Sequence, residues 1–273
     1  MHNARQDINA RASIDLEQRR NWYSPVADIY YDARPPYPKQ LINRSIALAQ
    51  LSANASILEV GCGPGNATVG FAQFGFSMLC VEPNPDFCRL AQHNCDQYPN
   101  VTICNTSFEE WNLQAKQFNA VLSANAFHWM SPEIRYAKAA EALRDNGFLI
   151  LLWTLRPEPK YEVYQAIEDV YQAYAPSWVR YEGAEVQAEI LRGFGQDILD
   201  SGCFRELVAE QTACEVTYSI DNYLNLLSSM GMGRLEPQVK ELLFAGLREK
   251  LEKFGNSIEL SFLSAVQVAR EDS

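Results

Sequence analysis

The stretch that decides the fold is Ile57-Leu58-Glu59-Val60-Gly61-Cys62-Gly63-Pro64-Gly65-Asn66-Ala67. Residues 56–60 form a short apolar run that predicts a buried strand. Glycines at every second position follow, so the backbone can turn sharply and a ligand can approach without meeting a Cβ atom. Because a helix is predicted over residues 66–74, this is a strand–turn–helix unit, and such units bind ligands at the carboxyl end of an α/β sheet.

Strands continue to alternate with helices after this unit. Further strands are predicted at 78–81, 101–104, 120–124 and 148–153, with helices at 85–94 and 132–144 between them. This alternation indicates a parallel sheet with helices on both faces. Two later strands, at 204–216 and 258–268, complete a doubly wound, mostly parallel seven-stranded α/β sheet with helical cap insertions.

The chain length of 273 residues suits one domain over residues 1–273. We expect its core at about 40–155, 200–218 and 257–270, and cap insertions at about 156–199 and 219–256. The polar residues 1–24 are expected to be loosely helical. In the first insertion an aromatic stripe, which either packs in the core or lines a pocket, recurs at helical spacing: Tyr161, Tyr164, Tyr171, Tyr174 and Trp178.

The net charge and the cysteine content argue against several classes of partner and ligand. Lys and Arg number 23 against 34 Asp and Glu, and the net charge of −11 disfavours nucleic acid and anionic membranes as partners. The seven cysteines are odd in number and form no C-x-x-C pair, which argues against disulfides and zinc. With no apolar leader near residue 1 and no apolar run of about 20 residues, we expect a cytoplasmic protein that binds no metal and no membrane.

The glycine turn itself favours a cationic ligand over a dinucleotide. A dinucleotide fingerprint has its third glycine at the sixth position, where this chain has Asn66. Glu59 precedes the turn, and a carboxylate is unfavourable near a pyrophosphate but favourable near a cation. Glu82 ends the second strand, where an acidic group accepts hydrogen bonds from ribose hydroxyls. S-adenosylmethionine has a cationic sulfonium and ammonium as well as a ribose, and it therefore fits both carboxylates.

The string Glu-Val-Gly-Cys-Gly-Pro-Gly, followed by Val-Glu-Pro at 81–83, resembles motif I and its acidic partner in the class I S-adenosylmethionine-dependent methyltransferases. Ala-Asn-Ala-Phe-His-Trp at 124–129 and Arg-Pro-Pro-Tyr-Pro at 34–38 resemble segments of the small-molecule members, which include trans-aconitate methyltransferase-like proteins. The resemblance covers about residues 25–155. It implies the Rossmann-like methyltransferase fold, S-adenosylmethionine as cofactor, and methyl transfer to a small-molecule acceptor.

The resemblance also implies a set of cofactor-binding residues. Gly61, Gly63 and Gly65 would form the turn beside the methionine part, and Glu59 would orient that turn and help hold the ammonium. Arg34 would pair with the methionine carboxylate, and Asn125 would approach the methionine end. The remaining expected contacts are Glu82 with the ribose, and Pro83, Asn84, Ser107 and Phe108 with the adenine; the acidic residue that many relatives have near Ser107 comes here two positions later, as Glu109.

A few residues are candidates for binding the methyl acceptor or acting on it. His128 follows the fourth strand and is a candidate general base or substrate donor, with a structural role as the alternative. Tyr30, Tyr31, Tyr37 and Trp129 are candidate substrate-pocket residues. The acceptor is left open between O- and N-methylation, including a carboxylate, which needs no base. Arg34-Pro35-Pro36-Tyr37 has no carboxylate or amide acceptor for an exocyclic amine of a nucleic-acid base.

Two other functions are consistent with parts of the pattern. A non-catalytic S-adenosylmethionine-binding protein would share the cofactor motifs without methyl transfer. An NAD-dependent oxidoreductase would share the strand–turn–helix unit, although Asn66 and Glu59 argue against it. The oligomeric state cannot be inferred from the sequence.

Overall fold

The protein is described by a computed structural model for residue 12 and residues 14–272. Within these residues a single sheet contains eight strands: β1 (Ser56–Val60), β2 (Ser77–Glu82), β3 (Val101–Asn105), β4 (Phe118–Ala124), β5 (Leu143–Thr154), β6 (Glu158–Pro159), β7 (Phe204–Ser219) and β8 (Ser257–Glu271). The order β3-β2-β1-β4-β5-β8 is parallel up to β5, and β8 runs antiparallel to β5, β6 and β7. The predicted fold class is confirmed, with the two-residue β6 as an addition.

The strand order places the glycine turn at a switch point. The chain runs outward from β1 through β2 to β3, then returns to place β4 on the other side of β1. Loops that leave β1 and β4 at their carboxyl ends therefore diverge, and a crevice opens between them. This crevice is where the ligand-binding motifs of the sequence are expected to meet.

The helices in chain order are α1 (Leu16–Arg20), α2 (Ala27–Ala33), α3 (Lys39–Leu48), α4 (Thr68–Ala72), α5 (Pro85–Asn94), α6 (Arg135–Ala142), α7 (Tyr161–Tyr174), α8 (Ala184–Asp200), α9 (Ile220–Met230) and α10 (Pro237–Leu251). The loosely helical structure expected for residues 1–24 is seen only in part, because residues 1–11 and 13 lie outside the described residues. α4 and α6 are shorter than predicted. α6 ends early because Leu143 already pairs with Phe118 of β4.

Both faces of the sheet are covered by apolar side chains. Successive residues of a strand point to opposite faces, so Ile57 joins the buried cluster on one face and Leu58 the cluster on the other. α8 packs on the second face, where the rings of Phe194 and Trp153 are stacked with centroids 4.2 Å apart. The predicted insertion at 156–199 is therefore only partly a cap, since α8 covers the sheet.

A third apolar cluster joins α7, α9 and α10 with the start of β8. The aromatic stripe of α7 contributes to this cluster, and Tyr164 and Tyr171 are buried in it. These helices form the cap, and Tyr164 and Tyr171 of the stripe pack in its core, whereas Tyr161 at the start of α7 is exposed. Within the described residues, no helix combines the length and apolar character that a membrane crossing requires.

Candidate active site

A large cavity opens at the carboxyl ends of β1, β2 and β4, with an empty volume of about 1130 Å³ that includes open solvent. Residues 16–37, which we name the covering segment, form one wall. Most of the expected site residues line the cavity: Tyr30, Arg34, Tyr37, Gly61, Gly63, Glu82, Pro83, Ser107, Phe108, Asn125 and Trp129.

The glycine turn forms the floor of the cavity. Gly61 has φ +70°, and a Cβ added there would lie 2.6 Å from the Cβ of Ala126 in the β4 loop. Gly63 has φ +57°, and an added Cβ would meet nothing closer than Phe87 at 4.0 Å. Gly61 thus lets the β1 and β4 loops approach each other, whereas Gly63 leaves the cavity open above the turn.

Glu82 is fixed at the end of β2 with both oxygens turned toward backbone donors. Its Oε2 accepts from the N–H of Gly63 at 2.9 Å, and its Oε1 accepts from the N–H of Asn84 at 2.9 Å. Burial raises the pKa of this carboxyl to about 7, and the two N–H donors partly offset that rise. An ionised Glu82 keeps lone pairs for a ligand hydroxyl, as the ribose prediction requires.

Beyond Glu82 the cavity reaches the end of β3. Pro83, Ser107 and Phe108 all line it there, at the part expected to receive adenine. The Ser107 hydroxyl donates to Oε2 of Glu110 at 2.9 Å and accepts from the Glu110 N–H at 3.1 Å. Ser107 is therefore oriented by its neighbour.

Arg34 lies where the covering segment meets the cap. Its Nη2 donates to the carbonyl of Ser229 in α9 at 2.9 Å, and its guanidinium lies 4.8 Å from the centre of the Tyr30 ring. Its Nε is buried and has no hydrogen-bond partner among the described residues. A buried donor without a partner at a cavity wall fits a ligand carboxylate.

Asn125 adopts a left-handed backbone conformation with φ +50°. Its Oδ1 accepts from the N–H of Thr154 at 2.9 Å, and its Nδ2 donates to the Thr154 carbonyl at 3.0 Å. The amide thus clamps the end of β4 to the end of β5. Asn125 lines the cavity, but its side-chain amide is already bonded on both sides.

Five expected site residues do not line the cavity: Tyr31, Glu59, Gly65, Asn84 and His128. Gly65 faces α5, where an added Cβ would lie 3.6 Å from Ala91 and Cys95. Asn84 caps α5 by accepting from the N–H of Phe87 at 2.9 Å, and its Nδ2 donates to the carbonyl of Arg20 at 2.8 Å. The prediction of Gly65 and Asn84 as cofactor contacts is corrected to structural support of the turn and of the covering segment, and Tyr31, predicted for the substrate pocket, instead accepts a hydrogen bond from Asn66 through its carbonyl.

Glu59 is fully buried beneath the turn. Its Oε2 accepts from the Thr68 hydroxyl at 2.7 Å, which ties β1 to the start of α4. Burial raises its pKa to about 7, and hydrogen bonds from Thr68 and Cys80 partly offset that rise. The expected role in orienting the turn agrees with these bonds, but the expected contact with the cofactor ammonium has no exposed surface to support it.

His128 is also displaced from the cavity. It lies in a short 3₁₀ turn, Phe127–Trp129, that follows β4. Its ring contacts Trp153, at 5.7 Å between centroids, and is stacked with Phe194 at 6.4 Å. This turn points His128 toward α8 and points Trp129 toward the cavity, so the geometry does not support His128 as a catalytic base.

Several cavity residues were not predicted from the sequence, among them Arg19, Tyr23, Asn66, Phe87 and Glu109. Arg19 donates to Oε1 of Glu109 at 2.8 Å and to the carbonyl of Trp129. The Tyr23 ring is stacked with Phe87 at 5.6 Å. Within the described residues no group of three or more His, Cys, Asp or Glu is placed to hold a metal ion.

Comparisons with known proteins agree with this geometry. A model of a methyltransferase domain matches residues 57–147, which run from β1 into β5. Residues 57–147 are thus similar to methyltransferase domains. This similarity supports the predicted class I family and its cofactor, S-adenosylmethionine, and the buried Arg34 donor and the open turn at Gly63 fit that cofactor.

The chain is also similar to individual methyltransferases from several organisms. It is 30% identical over 129 residues to an uncharacterized methyltransferase of Mycobacterium tuberculosis, covering 47% of this chain and 50% of that protein. It is 24% identical to a malonyl-[acyl-carrier protein] O-methyltransferase of Paenibacillus, covering 78% of each. A putative type II methyltransferase structure from Anaeromyxobacter dehalogenans has a TM-score of 0.60 at 22% identity, covering 87% of this chain and 97% of that one. The match thus spans about half the length of the mycobacterial relative, and the structural likeness shows the fold.

Proposed function

We propose that this chain transfers the methyl group of S-adenosylmethionine to a small-molecule acceptor. The observation that carries the proposal is the cavity at the ends of β1, β2 and β4, which combines an open glycine turn, a buried carboxyl at Glu82 and a buried guanidinium donor at Arg34. These groups complement a ligand with ribose hydroxyls and an amino-acid carboxylate.

In this proposal the cofactor supplies the electrophilic methyl group, and the protein supplies alignment. Glu82 accepts from the ribose, and Arg34 holds the methionine carboxylate. The covering segment and Trp129 exclude water from the space above the Gly61–Gly63 turn. Because methyl transfer is an in-line displacement, holding nucleophile and sulfonium in register provides most of the rate.

The cavity lining favours an acceptor that needs no base. Among the described residues, neither His nor Lys lines the cavity. Tyr37 is partly buried, and desolvation raises the pKa of its phenol well above its usual value, so it does not deprotonate an acceptor near neutral pH. A carboxylate is already nucleophilic at neutral pH, and O-methylation of a small acid is therefore our preferred reaction.

Two further observations support this choice of acceptor. The malonyl-[acyl-carrier protein] O-methyltransferase of Paenibacillus is named for transfer to oxygen, and it aligns over most of this chain. The net charge of −11 opposes binding to nucleic acid, so the proposal keeps nucleic acid out of the acceptor class.

The test is turnover on a panel of small carboxylic acids, phenols and amines, measured as release of S-adenosylhomocysteine. We expect turnover with at least one acid, and at saturating cofactor its rate should stay flat from about pH 7 to pH 9 because no base must be deprotonated. Turnover only with amines would reject the carboxylate. Cofactor binding without turnover on any member would support the non-catalytic alternative.

A further inference from the structure

Asn66 follows the last glycine of the turn. Its Nδ2 donates to the carbonyl of Tyr31 at 3.3 Å, which fixes the orientation of the amide. Its Oδ1 is buried and accepts no hydrogen bond from the described residues. Buried acceptors without partners are rare in folded proteins, and a ligand is one of the few things that explains them. Asn66 lines the cavity, so a ligand can reach it.

Asn66 and Arg34 are both held at the end of α2. The Asn66 amide donates to the carbonyl of Tyr31 in the last turn of α2, and Arg34 directly follows that helix. Arg34 is anchored from the other side by Ser229. Both side chains line the cavity, and each keeps one unused polar atom, the donor Arg34 Nε and the acceptor Asn66 Oδ1.

An unused donor and an unused acceptor on the same cavity complement a ligand that carries both an anion and an ammonium. We propose that Asn66 accepts a hydrogen bond from the ammonium of the methionine part, while Arg34 binds its carboxylate, so that the pair recognises the α-amino-acid zwitterion. This inference rests on the proposed function, since it takes S-adenosylmethionine as the ligand.

Neighbouring polar groups are less suited to this role. Glu59 also has an unpartnered oxygen, Oε1, but it has no exposed surface and does not line the cavity. The Asn125 amide is bonded on both sides to Thr154. Asn66 is thus the amide on the cavity with an acceptor to spare, and it takes over the ammonium contact that the sequence assigned to Glu59.

Three ligands distinguish the contribution of the ammonium to binding from that of the carboxylate. S-adenosylmethionine carries both charged groups, its decarboxylated form keeps the ammonium alone, and 5′-methylthioadenosine lacks both. Calorimetric titration of the whole chain with each ligand gives three dissociation constants per variant. For Asn66→Ala we expect binding of the two ammonium-bearing ligands to weaken about tenfold, and binding of 5′-methylthioadenosine to change less than about twofold.

Two further variants serve as controls. Arg34→Ala should weaken S-adenosylmethionine about tenfold and spare the decarboxylated form, because only the carboxylate is lost. Asn94→Ala is the second control. The Asn94 amide donates to the carbonyl of Pro64 in the glycine turn at 2.9 Å, but Asn94 does not line the cavity. This variant should change all three affinities by the same factor.

The outcomes distinguish the inference from the function on which it rests. If Asn66→Ala weakens all three ligands equally, Asn66 only shapes the turn and the inference is wrong. Unchanged binding of all three by this variant would reject it as well. Failure of the wild-type chain to bind any of the three ligands would instead overturn the proposed function.

Discussion

The two sides of the cavity are built in different ways. On the strand side, polar side chains bond to the backbone of adjacent strand ends: Glu82 to Gly63 and Asn84, and Asn125 to Thr154. The covering segment on the other side is held by side chains of distant residues, with Arg19 on Glu109 and Arg20 on Glu110. The strand side is therefore preformed by the sheet, whereas the covering side depends on a few separate contacts.

This difference predicts where substitutions act. Changes on the strand side should have the larger effect on cofactor binding, because they alter the turn and the carboxyl that the ligand approaches. Changes in the covering segment should weaken binding only moderately, since each contact is one of several.

Gly61→Ala should abolish measurable binding of S-adenosylhomocysteine. The added Cβ would lie 2.6 Å from Ala126, so the β1 and β4 loops must separate. Gly75→Ala is the matched control, because Gly75 has a similar φ of +79° and nothing within 4 Å of an added Cβ. The control should lose about 1 kcal/mol of unfolding free energy from strain alone and keep its affinity. Equal affinities for the two variants would contradict the account.

Glu82→Gln should weaken binding of S-adenosylhomocysteine by about 1–3 kcal/mol, which is the usual loss for charge-assisted hydrogen bonds. It should also remove a pH dependence. The pKa of Glu82 is about 7, so as pH falls through 7 the carboxyl is protonated and loses acceptor capacity. Wild-type affinity should therefore rise between about pH 6 and pH 8 and then level off.

A matched control identifies the carboxyl responsible. Glu59 also has a pKa of about 7 but does not line the cavity, so Glu59→Gln should retain the pH dependence that Glu82→Gln loses. Titration calorimetry at several pH values measures both. If the pH dependence of affinity persists in Glu82→Gln and disappears in Glu59→Gln, the titrating group is Glu59 and not the carboxyl at the ribose site.

Arg19→Gln should weaken cofactor binding about tenfold by loosening the covering segment. The side chains of Arg19 and Glu109 are only 12% and 15% exposed, so their ion pair is little screened by water. Arg20→Gln breaks a pair that is 39% and 48% exposed, and it should change affinity less than about twofold. If Arg20→Gln has the larger effect, the covering segment is not held through Arg19.

His128→Gln should change cofactor affinity and turnover less than about twofold. Its ring packs with Trp153 and Phe194 behind the β4 loop rather than on the cavity. The comparison uses whichever acceptor the panel identifies, with the unfolding temperature as a check on packing. A large loss of kcat at unchanged unfolding temperature would show that His128 takes part in the reaction.

The strand side could be predicted because its signals are local. A strand, three glycines and a helix occur within 20 residues, and Glu82 follows at the end of the next strand. The parallel pairing of β1 with β2 and β4 then brings these turns together without further information. Residue type and spacing are therefore enough to predict that Gly61, Gly63 and Glu82 line the cavity.

Side-chain direction and long-range contacts could not be predicted in the same way. Glu59 points beneath the turn while Asn66 points to the cavity, and the sequence shows two polar residues with no sign of which way each faces. A single 3₁₀ turn after β4 decides that Trp129 faces the cavity and His128 does not. Arg19 meets Glu109 across 90 positions, a separation over which no local pattern extends.

The central claim is that the turn between β1 and α4 holds S-adenosylmethionine, and calorimetric titration with this cofactor tests it most directly. For the wild-type chain we predict one binding site per molecule, and for Gly61→Ala we predict no measurable heat of binding. The absence of binding to the wild-type chain, or equal binding by the two proteins, would contradict the account.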